Sequence, residues 1–135
     1  MAAGRDSGQR GPDAIEFRLA ARLESLAVLR TLIVAVGTFS DLDLDAVADL
    51  RLAVDEACTQ LIGSATPDAT LVVIVDPSAE AVVVEASTTC ASSEVLAEGS
   101  FSWHVISSLI DDVQTFLDGR VFGIAMTSRR AGVSR

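Results

Sequence analysis

Glu56 and Gln60 stand four residues apart in the stretch Leu52-Ala53-Val54-Asp55-Glu56-Ala57-Cys58-Thr59-Gln60. On a helix that spacing puts both side chains on one face. A carboxylate beside a carboxamide can hold a hard cation and orient a hydroxyl or a water for proton transfer. The same pair also suits an ordinary solvated acidic face. Other chemistries are excluded by residue type. The chain contains no Lys, which removes a P-loop lysine and a Schiff base, and His104 is its one histidine, which removes a multi-His metal site. Cys58 and Cys90 lack C-x-x-C spacing and read as two buried, reduced thiols. His104 reads as a helix-surface or half-buried histidine.

The elements that must position these side chains follow from periodicity. Ile15, Phe17 and Leu19 alternate with Glu16 and Arg18, which predicts a strand over Ala14–Ala20. A helix follows over residues 22–36, with Gly37 as its C-cap. Its sequence is apolar on nearly every side, with Arg22, Glu24, Ser25, Arg30 and Thr31 as the interruptions, so it needs cover on more than one face. Arg30 is a candidate contact for an acidic partner. The carboxylates of Asp41–Asp45 can cap a second helix running from Asp43 to Ile62, with Val47, Leu50, Val54, Cys58 and Leu61 as its core stripe.

Two Val-rich runs, Thr70–Val75 and Ala81–Ser87, read as a hairpin turned at Pro77. A loop over Thr88–Gly99 leads to a short helix, Ser100–Ile110, stopped by Asp111 and Asp112. A second hairpin, Val113–Leu117 and Arg120–Thr127, turns at Asp118-Gly119 with type I′ geometry. The order predicts an α+β two-layer sandwich: a mixed, mostly antiparallel sheet with helices on one face. Residues 13–130 form one domain between a mobile tail (1–12) and a basic C-terminal tail (131–135 at its end).

Composition narrows the function classes. The chain has 135 residues, half of them hydrophobic, with a net charge of −9. That suits a single globular domain and disfavours a phosphate-backbone partner, so no direct nucleic-acid binding is expected. Apolar runs are far short of a bilayer span and no leader pattern opens the chain, so a cytoplasmic location away from membranes is expected. The absence of Lys, Asn and Tyr is the codon signature of a high-GC genome.

The Leu52–Gln60 stretch resembles the N-box of the GHKL (Bergerat-fold) ATPases. Among them it is most similar to the small anti-sigma-factor serine kinases of the RsbW and SpoIIAB kind. Leu52, Ala53, Glu56 and Ala57 match the box, and Gln60 stands at its asparagine. The resemblance extends over residues 13–130 in element order. Phe101-Ser102-Trp103-His104 and Asp111–Phe116 narrow it to the actinobacterial RsbW (UsfX) group that restrains sigma factor F.

The resemblance implies that Glu56 is the general base for a serine hydroxyl and Gln60 the ligand of the Mg2+ on ATP. In the family's adenine-reading box, Ala86 falls at the aspartate and Thr88 and Cys90 at the glycines, which leaves Glu85 as the nearest carboxylate. The phosphate lid falls on Gly99, Ser100 and Ser102, with serines where the family prefers glycine. The resemblance therefore implies an anti-sigma factor with a degenerate ATP and Mg2+ site, partnered by a sigma factor and an anti-anti-sigma factor, and a homodimer through its first helix. The alternative is an active Mg·ATP-dependent serine kinase acting on the anti-anti-sigma factor.

Overall fold

A computed structural model describes residues 10–132. The element order is β1 (Ile15–Ala20), α1 (Ser25–Phe39), α2 (Leu44–Ser64), β2 (Thr70–Pro77), β3 (Ala81–Thr89), α3 (Phe101–Leu109), β4 (Asp112–Asp118) and β5 (Val121–Arg129). The five strands form one sheet in the order β1-β2-β3-β5-β4. Every pairing is antiparallel, so the parallel component expected of a mixed sheet is absent among the described residues. The chain reaches the far edge through α3, builds β4 there and returns with β5 into the gap beside β3.

Alternation divides the sheet into two faces. Leu71, Val73, Val75, Val82, Val84, Ala86, Ile124 and Met126 are fully buried on the helix side. Helix α2 lies over β3 and β5, with α1 and α3 packed beside it and α3 also reaching β4. The α2 stripe of Val47, Leu50, Val54, Cys58 and Leu61 is buried against this face. Its N-terminus follows the sequence expectation: Asp43 accepts a hydrogen bond from the Ala46 amide at 2.8 Å.

Three boundaries differ from expectation for physical reasons. Helix α1 begins at Ser25, runs through Gly37 and ends at Phe39. Asp41, not Gly37, takes the left-handed position after the helix, with φ 64°. The Leu42 amide donates to the Gly37 carbonyl and the Asp41 amide to the Thr38 carbonyl, the paired bonds of a Schellman motif. Gly37 serves packing instead: a Cβ there would lie 3.2 Å from Val47 Cγ2, so the missing side chain lets α1 approach α2. At the β4–β5 turn only Gly119 of the two central residues has positive φ, at 63°, which is the type II′ pattern and not the expected I′.

The third difference concerns the ends of the domain. Part of the tail expected over 1–12 falls within the described residues and is held. The Gly11 amide donates to both carboxylate oxygens of Asp76, at 3.1 and 3.3 Å. At the other end β5 runs to Arg129, and Arg130 donates to the Ser40 and Ser78 carbonyls. The rest of both expected tails, residues 1–9 and 133–135, lies outside the described residues.

Candidate functional site

The site forms where α3 meets α2. Glu56 and Gln60 project from the α2 flank beside its core stripe, both half-buried. Gln60 Nε2 donates to Glu56 Oε2 at 3.3 Å. From α3, Ser102 Oγ donates to the same Oε2 at 2.7 Å. The structure therefore brings together three of the sequence-predicted side chains, Glu56, Gln60 and Ser102, around one carboxylate oxygen.

Ser100 is committed to local structure. It is the N-cap of α3, and its Oγ accepts from the Trp103 amide at 3.2 Å. Gly99 sits just before it with φ 85°, a backbone conformation that favours glycine, in open space. These two residues set the entry of α3 and the direction in which Ser102 points. His104 is exposed on the outer side of the helix.

Glu85 is not part of this group. It lies on the sheet face opposite the helices, where it is nearly buried and pairs with Arg10 at 3.6 Å. Its neighbour Ala86 faces the helices and is fully buried. Thr88 is also buried and gives its hydroxyl to the Thr70 carbonyl at 2.8 Å. Cys90 is buried, and burial pushes its thiol up from the usual range, against a backbone hydrogen bond from Phe122 that lowers it. Cys58, inside the core under α2, is pushed up to about 12, mainly by burial and further by the charge of Asp55. Both thiols are free.

Two contacts were not read from the sequence. Arg30 donates to Asp55 Oδ1 at 2.7 Å, which ties α1 to α2 and raises the arginine's basicity further. The partners are 25 residues apart, so no local spacing signals the pair. The Ser102–Glu56 bond spans 46 residues and is equally silent in sequence. A cavity of about 790 Å³ lies elsewhere, between the 11–15 segment, the α1–α2 corner and the β2–β3 turn, and none of the predicted site residues lines it.

Two curated relatives, both named anti-sigma-F factor RsbW and from two strains of Mycobacterium tuberculosis, are 63% identical over 134 residues. The alignment covers 94% of this chain and 80% of each relative. The chain belongs to the RsbW family. No protein-family model matches the sequence. A crystal structure of the RsbU and RsbW domains of a Mycobacterium tuberculosis protein shares the fold, with a TM-score of 0.73 at 13% identity. That match covers 90% of this chain and 34% of the other, so the present chain spans about a third of its length.

A triphosphate needs cationic side chains or a cradle of free N–H groups. No Lys or Arg occurs between Arg51 and Arg120. The Glu56 oxygen nearest Gln60 already accepts two hydrogen bonds. Ala86 offers no acceptor to an adenine amino group and is packed in the core. The stretch from Arg51 to Arg120, which includes Glu56, Gln60 and the Gly99–Ser102 segment, thus offers a triphosphate no cationic side chain of its own between those two arginines.

Proposed function

We propose that this chain is an anti-sigma factor: it binds an alternative sigma factor of the sigma-F type and withholds it from core RNA polymerase. Anti-anti-sigma proteins compete for the same molecule and release the sigma factor by mass action. The chain acts in the cytoplasm, as a homodimer. Among the described residues no helix is long and apolar enough to cross a membrane, which is consistent with that setting.

The observation that supports this reading most directly is the outer face of α1. Leu26, Leu29, Ile33 and Val36 are buried inward. Ala27, Val28, Thr31, Val34, Ala35 and Thr38 form the opposite face, exposed and without a charge. Phe39 and Leu44 extend the apolar surface around the α1–α2 corner, at 86% and 81% exposure. Contiguous apolar surface of this kind marks a protein-binding face. Arg30, which the sequence suggested for an acidic partner, spends its charge on Asp55 within the chain, so the face relies on shape and apolar contact. The relatives' name, anti-sigma-F factor, supplies the class of partner.

The serine-kinase reading has no comparable support, because the residues around Glu56 do not suit a triphosphate. Calorimetric titration with a sigma-F-type factor tests the proposal. Saturable binding at or below micromolar concentration is expected, and no heat of binding at that concentration overturns it.

A further inference from the structure

The contact between Ser102 and Glu56 has the geometry of a base and its substrate, with both partners in one chain. A general base must hold an incoming hydroxyl about 2.6–3.2 Å from its carboxylate oxygen. Ser102 Oγ occupies that place at 2.7 Å from Oε2, and Gln60 Nε2 fills a second position on the same oxygen. The Ser102 hydroxyl points its proton at the carboxylate, so it stands where an external hydroxyl would have to stand.

The rest of α3 is built as a movable piece. It has nine residues, well below the roughly 12–15 that an isolated helix needs to persist in water. It is therefore helical because it is docked. Ile106 is its one fully buried side chain, and Trp103, Leu109 and the following Ile110 pack partly against the core. Val95 and Leu96 pin the loop that leads into it. Between those pins and the helix sits Gly99, at φ 85° and with open space around it, a natural pivot. Phe101 at the helix start is 82% exposed and anchors nothing. At the N-terminal half of α3, where Ser100 is spent on its own cap, Ser102 supplies the one side-chain hydrogen bond to α2 among the described residues.

We propose that Ser102 is a latch: its hydroxyl ties α3 to Glu56 and occupies the carboxylate oxygen that an external hydroxyl would need. That oxygen becomes available when the residues from Gly99 onward swing off α2. This inference rests on the Glu56 geometry and does not depend on which partner the α1 face holds.

The test compares the full-length chain with Ser102→Ala and Ser102→Thr. Carbodiimide-driven amide labelling of Glu56, located by mass spectrometry, reads the accessibility of the carboxylate. Hydrogen exchange at residues 105–109 reads the docking of α3. Hydrogen bonds to charged acceptors carry enough free energy that Ser102→Ala is expected to speed both on the order of tenfold. Ser102→Thr restores a hydroxyl and returns both toward the parent values. Exchange in β3 and β5 stays unchanged, which separates a released helix from a loosened fold. Labelling and exchange in Ser102→Ala at the parent rates overturn the latch. So does acceleration spread evenly over the sheet, since the serine would then be an ordinary stability contact.

Discussion

Cys58 is the residue whose environment has the most direct consequence in solution. Burial under α2 disfavours the thiolate, and the charge of Asp55 adds to this, so the folded thiol titrates at about 12 against 9.0 in an open chain. A group whose pKa is raised by folding stabilises the fold below its unfolded value, and that contribution is lost as pH climbs through the folded one. Stability should therefore decline between about pH 9 and 12. Cys90 pulls in the same direction. The composition makes this unusually clean, because a chain without Lys and Tyr has no side chains other than its two cysteines that titrate in that window. Cys58→Ala is expected to flatten the alkaline part of a plot of urea midpoint against pH, and an unchanged slope would contradict the assignment. Under native conditions at neutral pH, Cys58 should react with thiol reagents only as fast as the chain unfolds.

Among the elements, the β4–β5 hairpin shows how far periodicity reaches and where it stops. The apolar runs and the Asp-Gly pair placed both strands within two residues of their observed ends. They did not show that Phe116 lies directly across from Gly123, on the sheet face away from the helices. A Cβ at residue 123 would sit 2.0 Å from Phe116 Cζ, so the ring is laid over the bare backbone of the glycine. Gly123→Ala should displace the ring and cost about 1–2 kcal/mol, within the range for overpacking. In a Phe116→Ala background the same change should be neutral or stabilising, because glycine is a poor strand residue when nothing covers it. A double-mutant cycle by chemical denaturation reads this reversal of sign, and equal costs in both backgrounds would refute the aromatic cover. The candidate site was legible to a similar depth. The spacing of Glu56 and Gln60 fixed their shared face, and the position of Ser102 in the lid marked it as a site residue. Their meeting depends on how α3 docks, and that is set by Ile106, Val95 and Leu96, which belong to no local pattern. Glu85 fell on the far face for a reason already present in the strand period: Ala86 must point to the helices, so its neighbour cannot.

The whole molecule raises the question of how large a surface α1 can offer. Fifteen residues of helix span about 22 Å, and one face of such a cylinder is on the order of 200 Å² in outline. A stable interface buries roughly 800 Å² on each partner. An interface through α1 would therefore take in more than this helix, and Phe39 and Leu44, the exposed apolar pair at the corner where α1 turns into α2, continue its surface. Together these side chains make one stripe along the outer edge of the helical layer, while the opposite edge is closed by α3. Val28, 53% exposed at the N-terminal end of the stripe, separates folding from binding. Val28→Glu changes an already wet position, so unfolding midpoints should move by no more than about 0.5 kcal/mol. A carboxylate set into an apolar contact loses its water without gaining a partner. Self-association, read by sedimentation equilibrium, and sigma-factor binding, read by calorimetry, separate the two proposed uses of the stripe. The proposed homodimer is expected to weaken by at least roughly tenfold, because a symmetric contact brings the new charge in from both sides. A dimer of parent strength in Val28→Glu would place the self-contact away from α1, and sigma-factor binding of parent strength would remove the stripe from that interface as well.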